Sequence, residues 1–288
     1  MIGLNNFIKR AFAKYCKTTI EKITQEEIKK TFSKQYRENV ESIRQEELFN
    51  ILCRLFPESC SYELFIKFCS ISRHIDKNIQ GRYCGSLEDR LIQMMATYDA
   101  ALRNKNIEGV CHVDIGVLFG GSLIAHLEVL KLMGLQQLVV GIDPFKGFYG
   151  KKEEPLTGLP ITEDTVFKNI QTCKHDKIFV KIIPEYSESK NALKELQGRK
   201  VITLMIDGDH SYEGVKKDWE LYSPLVVPGG YVIFDDYKMM FHFFTVTRFI
   251  MDLLHTRPDG WRVVGALDTT LVLQRLEDGE EFKITGGF

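Results

Sequence analysis

The 288-residue sequence has little excess of charge: 38 basic against 39 acidic residues leave a net charge of -1. Binding a polyanion needs a basic field, so no nucleic-acid partner is expected. No run approaches eighteen consecutive apolar residues, and no membrane span is expected either. The seven cysteines (Cys16, Cys53, Cys60, Cys69, Cys84, Cys111 and Cys173) include no C-x-x-C and no adjoining histidine pair. That pattern suits reduced, mostly buried thiols in a cytoplasmic protein better than a disulfide framework or a zinc site. There is no G-x-G-x-x-G, internal repeat or low-complexity tract. The first twenty residues hold Lys9, Arg10, Lys14 and Lys17 and no acid. They lack the Arg- and Ser-rich composition of a transit peptide and read as a helix packed on the body of the protein.

What is present divides the chain in two. Residues 1–104 read as helical throughout, a helical cap that walls an acceptor pocket and supplies an oligomer interface. Thr24 with Glu27 marks a capping box before a charged helix that stops ahead of Pro57. A helix over Tyr62 to His74 follows, and Ser86 with Asp89 opens another, whose Leu91, Met94, Met95, Tyr98 and Leu102 recur at helical spacing. Asn104 to Gly109 is a polar break. From 105 to 288 strands and helices alternate, ending in a long apolar helix from about Met239 to Leu254, which implies right-handed crossovers and a doubly wound parallel sheet. Trp261–Ala266 and Thr270–Gln274 are separated by three residues, too few for a crossover, so they form a hairpin and one strand runs antiparallel. Met94, Met95 and the FHFF stretch at Phe241–Phe244 read as core.

Two apolar runs end in acids. VITLMIDGDH carries Asp207, Asp209 and His210, and YVIFDD carries Asp235 and Asp236. As neighbouring parallel strands they would bring four carboxylates and an imidazole to the rim where such sheets bind ligands. Repulsion among those acids is relieved most simply by a hard divalent cation on Asp207, Asp235 and Asp236. Asp209 then turns outward or caps the next helix, and His210 is left to move a proton.

At the other end of the sheet, VDIGVLFGGS places Asp114, Gly116 and Gly120 between a strand and a helix that Ser122 opens. Leu118 and Asp114 stand where a pyrophosphate site would want glycine and no charge, favouring a ligand with ammonium and sulfonium groups. Asp143 ends the second strand and could grip ribose hydroxyls. Tyr186 and Ser187, after the third, could read an adenine edge, or Ser187 could cap the next helix.

The order VDIGVLFGGS, GIDPFKGFYG and MIDGDHSYEGVKKDWELYSPLVVPGGYVIFDDY resembles the class I S-adenosylmethionine-dependent methyltransferases. The last stretch is most similar to the metal-dependent macrocin and sugar O-methyltransferase group. The resemblance covers about residues 108 to 275. It implies a Rossmann-like α/β fold, a seven-stranded sheet with the last strand antiparallel. It implies magnesium on Asp207, Asp235 and Asp236, His210 as base, Asp114 and Gly116 on the glycine-rich cofactor motif and Asp143 as the ribose acid. Gly120, Ser122, Tyr186, Ser187 and Asp207 are further candidate cofactor contacts, although PEYS departs from the family's usual end of the third strand. The expected reaction is methyl transfer from S-adenosylmethionine to a hydroxyl of a sugar or glycosylated natural product. The rivals are a catechol-like phenol as acceptor, an NAD-dependent oxidoreductase and a non-catalytic S-adenosylmethionine-binding protein. A homo-oligomer is expected. The glycine- and aromatic-bearing loop from Pro144 to Pro160 reads as a lid over the ligands or as a plain solvated connection.

Overall fold

The computed structural model describes residues 44–238 and 244–286. The expectations for the first twenty residues, the Thr24/Glu27 cap and Phe241–Phe243 lie outside the described residues. The chain divides into two compact units, 1–50 and 51–288. In the first, residues 44–50 are helical. The second carries everything that follows.

Residues 51–55 are helical and the helix ends before Pro57, as expected. Helix α1 spans Tyr62–Asn78, with Ser61 as its N-cap, one turn longer than its periodicity suggested. Helix α2, Leu87–Arg103, starts at the capping box expected of Ser86 and Asp89. The stretch 79–86 between them is not helical, a correction to the reading of 1–104 as helical throughout; Gly81 and Gly85, at φ of 92° and 77°, turn the chain there.

Next come β1 (Val110–Ile115), α3 (Gly121–Met133), β2 (Leu138–Ile142), α4 (Glu163–Thr172), β3 (Val180–Ile183), α5 (Lys190–Leu196) and β4 (Lys200–Ile206). They are followed by α6 (Tyr212–Tyr222), β5 (Val226–Phe234), α7 (Phe244–Thr256), β6 (Trp261–Leu267), β7 (Thr270–Arg275) and β8 (Lys283–Ile284). The sheet order is β3-β2-β1-β4-β5-β7-β6-β8. The first five strands are parallel, and β7 is antiparallel to both β5 and β6. The expected hairpin is present. The eighth strand, two residues parallel to β6, is additional to the seven anticipated and too short to carry a pattern.

Both faces of the sheet are covered, which is why its central strands read as unbroken apolar runs. One face is purely apolar: Val113, Ile115, Leu204, Ile206, Val232 and Phe234 pack against Leu196 of α5, Trp219 of α6 and Phe249 of α7. The opposite face meets α2 and α3 and buries polar groups. There His112 Nδ1 lies 2.7 Å from Thr203 Oγ1. Met94 and Met95 are fully buried, as expected of core. Phe244 is not; it opens α7 at 51% exposure, a reversal of its assignment to the core.

Candidate active site

The backbone ladder of the parallel strands runs on into the loops beyond them. Gly116 N donates to Ile142 O at 2.9 Å, Asp207 N to Ile115 O at 2.9 Å, and Asp235 N to Ile206 O at 3.2 Å. These bonds hold the ends of β1, β2, β4 and β5 level, and a cleft of about 720 Å3 opens above them. Its walls include Gly116, Asp143, Tyr186, Ser187, Asp207, His210, Asp235 and Asp236. Ser122 lines a smaller chamber of about 40 Å3 that shares Gly116, Asp207 and Asp235 with the cleft.

At the β4–β5 rim, His210 Nε2 lies 3.0 Å from Asp207 Oδ1, and Nδ1 lies 3.0 Å from Asp236 Oδ2. Donor atoms of Asp207, His210 and Asp236 all fall within 4.8 Å of one another. Asp235 is not in that group. Its Oδ1 accepts the Asp236 N–H at 2.9 Å and the Thr270 hydroxyl at 3.3 Å. The adjacent acids diverge because Asp236 sits at φ 57°, in the left-handed region. Asp209 is exposed and turned onto Ser211, the N-cap of α6.

Charge is concentrated here. Burial, then the charges of Asp207, Asp236 and Asp89, raise the Asp235 carboxyl well above the usual carboxylate range. Burial also raises Asp207, against the lowering effect of His210. Burial disfavours the His210 imidazolium, but hydrogen bonds and charge from Asp207 and Asp236 outweigh it and carry His210 up to about 10.

The β1–β2 rim is arranged differently. Asp114 is fully buried, with Oδ1 2.9 Å from His126 Nε2, and is not on the cleft wall. Gly120 is also off the wall, at φ 82°, where a Cβ would come within 2.9 Å of Val166. Gly116 is required by the protein itself: a Cβ there would lie 2.0 Å from the Asp207 carbonyl oxygen. Asp143 lines the cleft, and its carboxylate accepts the N–H groups of Val117, Leu118 and Phe145 at 3.0, 3.3 and 2.7 Å. Ser187 does not cap α5, a role taken by Ser189. Its hydroxyl donates to the buried Asp218 at 2.5 Å, and Tyr186 stands exposed at the mouth.

Several wall residues carry no signal in sequence spacing: Arg82, Cys84, Lys146, Phe148, Tyr149, Asp268 and Thr269. Asp89 could be read only as a helix start, yet its carboxylate also accepts from Thr269 N and Thr270 Oγ1, both at 3.0 Å, tying α2 to the β6–β7 turn. The 144–160 loop is built around Glu154. That side chain is 1% exposed, accepts from Leu156 N, Thr157 N and Thr157 Oγ1, and pairs with Arg82 Nε at 3.0 Å.

Residues 113–237 match the family described as "Methyltransferase domain". An uncharacterized protein of Acanthamoeba polyphaga mimivirus is 31% identical over 131 residues, covering 46% of this chain and 53% of that one. An uncharacterized protein of Sinorhizobium fredii is 26% identical over 163 residues, 55% of this chain and 16% of its own length. The chain therefore spans about half of the first relative and a small part of the second. Among solved structures, that of the O-methyltransferase NovP superposes with a TM-score of 0.52 at 18% identity, over 82% of this chain and 99% of that one, a likeness of fold. The matched segment runs from β1 to the acid rim after β5, so the part of the chain that is similar to the methyltransferase domain family is the part that carries the strand-end acids, on a sheet of the class I methyltransferase fold.

Proposed function

We propose that the protein is an S-adenosylmethionine-dependent O-methyltransferase acting on a hydroxyl of a small-molecule acceptor, a sugar or glycosylated natural product, assisted by magnesium or a similar divalent cation. The observation that carries the reading is an imidazole held between two carboxylates at the mouth of a cleft in a methyltransferase domain. S-adenosylmethionine, when bound, supplies a methyl carbon on a sulfonium. In the transfer, the acceptor oxygen bonds that carbon as the carbon–sulfur bond breaks, leaving a neutral thioether and a methyl ether. The hydroxyl proton passes to a ring nitrogen of His210. Gly116, Ser122, Asp143, Tyr186 and Ser187 would seat the nucleoside and amino-acid ends of the cofactor, Asp207 would border both ligands, and Gly120, off the wall, would serve by shaping the turn into α3. Asp114, behind this surface, would act through His126 and α3.

The donor set suits a hard cation. Oxygen ligands predominate, and the acids raise one another's carboxyls with a single imidazole set against them. Asp207 and Asp236 would hold the ion, and Asp235 would join after turning from Thr270. Bound there, it would acidify a coordinated acceptor hydroxyl and offset the charges that keep His210 protonated. The cleft residues Arg82 to Asp89 support an acceptor-pocket role for the 1–104 segment, which we also propose as the site of homo-oligomerisation. The 144–160 loop is proposed as a lid. Among the described residues no helix is long and apolar enough to cross a membrane, and six free cysteines fit a cytoplasmic setting.

The test is incubation of the full chain with methyl-labelled S-adenosylmethionine, magnesium and a panel of glycosides and phenols, read by mass. A gain of one methyl on a glycoside is expected. A gain only on catechol-like phenols would change the acceptor class, cofactor binding without turnover would make this a silent binding protein, and preference for a nicotinamide cofactor would make it an oxidoreductase.

A further inference from the structure

The tip of the 144–160 loop is a two-residue hairpin turn. Phe148 and Lys151 exchange backbone hydrogen bonds of 2.8 and 3.0 Å, leaving Tyr149 and Gly150 at its centre with φ of 47° and 80°. Two successive left-handed positions favour Asn-Gly or Gly-Gly, and a bulky aromatic residue at the first is strained. Gly147 fixes the entry to the turn, since a Cβ there would lie 2.1 Å from Lys151 O. A residue that breaks a local rule invites the question of what it touches.

Tyr149 touches His210. Its hydroxyl oxygen is 2.8 Å from Nδ1, with ring centroids 5.7 Å apart, and Phe148 stands edge-on behind it at 4.8 Å. The other ring nitrogen, Nε2, faces Asp207 Oδ1 at 3.0 Å, and Asp236 Oδ2 also approaches Nδ1 at 3.0 Å. Carboxylate, imidazole and hydroxyl thus stand in the order that a general base and its substrate require, but the hydroxyl is the protein's own. Burial, then the charges of Asp207, Asp236 and Asp209, push the phenol up, so it stays a neutral hydroxyl, as an alcohol acceptor would be. The buried Glu154 and its pair with Arg82 anchor the loop that presents it.

We propose that Tyr149 occupies the hydroxyl position at His210 that the acceptor takes during transfer, and that an acceptor must displace it, so that Tyr149 is an internal competitor gating the acceptor site. This rests on His210 being the base, as read above. Displacement needs only the tip from Phe148 to Lys151 to swing, because Glu154 holds the rest of the loop.

Tyr149→Phe keeps the ring and the turn and removes only the hydroxyl. In ligand-free protein labelled with 15N-histidine, the His210 ring signals, identified by their loss in His210→Gln, should shift in Tyr149→Phe. With catechol as a small vicinal-diol probe, titration followed on the same signals should give a Kd at least about threefold lower in the variant, the affinity gained when a competing state is removed. With any acceptor that the panel yields, KM should fall by more than kcat changes. Unchanged His210 signals, unchanged or weaker catechol binding, or a fall in kcat at constant KM would each overturn the proposal, the last by placing Tyr149 in the proton path. If no compound of the panel is methylated, the proposed function fails, while the NMR arms still decide the gate.

Discussion

On the β1–β2 side of the rim, Asp114 is enclosed with His126 and Asp143 is taken up by three backbone N–H groups. On the β4–β5 side, Asp207 and Asp236 line the cleft and each meets a ring nitrogen of His210 at 3.0 Å. All four are aspartates at or just beyond the ends of parallel strands. What separates them is what the fold supplies within reach. Beside β1 the glycine-rich turn aims N–H groups inward, and an acid there completes the architecture. Beside β4 and β5 the loops leave as soon as the strands end, and the acids stay available for chemistry. A strand-end acid is therefore a candidate for catalysis when it lines the cleft beside an ionisable partner, and not when it is enclosed behind the wall or bonded to backbone N–H groups.

The comparison can be broken at either rim. Asp236→Asn should reduce methyl transfer at least about a hundredfold while relieving like-charge repulsion, so its thermal stability should match or exceed that of the wild type; a folded variant with full turnover would remove Asp236 from the site. Asp114→Asn should do the reverse. Disturbing an enclosed carboxylate–imidazole pair costs about 2–3 kcal/mol, to be read as a lower denaturation midpoint with cofactor affinity nearly unchanged. A smaller effect sharpens the contrast between the rims. Asp218, buried beneath Ser187, has its carboxyl raised by burial from 3.8 to about 7. The folded form thus holds a proton that the unfolded chain gives up, and stability should fall as pH rises from about 4 to 7, by at most about 1.4 kcal/mol per unit. Asp218→Asn, neutral at every pH, should match the wild type near pH 4 and melt a few degrees higher at pH 8. Equal pH slopes for the two proteins would show that the carboxyl titrates normally.

Most of the architecture was legible because periodicity and turn chemistry report local constraints. The Ser86/Asp89 start and the short β6–β7 connection appear where the residues place them, whereas α3 begins at Gly121 with Gly120 as its N-cap, one residue before the Ser122 read as its opener. The approach of Asp207, His210 and Asp236 followed from two acid-ended strands being adjacent. Side-chain direction was not legible. That Asp235 turns to Thr270 depends on the backbone of Asp236, and that Asp114 lies behind the surface depends on His126, twelve residues away on another element. Nor could the break at 79–86 become a cleft wall on paper, since Arg82 finds its partner Glu154 only in the folded loop.

Gly116 carries a consequence out of proportion to its size. Because the turn after β1 and the carbonyl of Asp207 meet backbone to backbone there, the floor proposed for the cofactor and the acid proposed to grip an acceptor are one mechanical piece. Adding a single methyl at this point would spare the apolar core and yet push the turn after β1 and the Asp207 loop apart together, so drift at position 116 should be poorly tolerated even though it leaves every charged group in place.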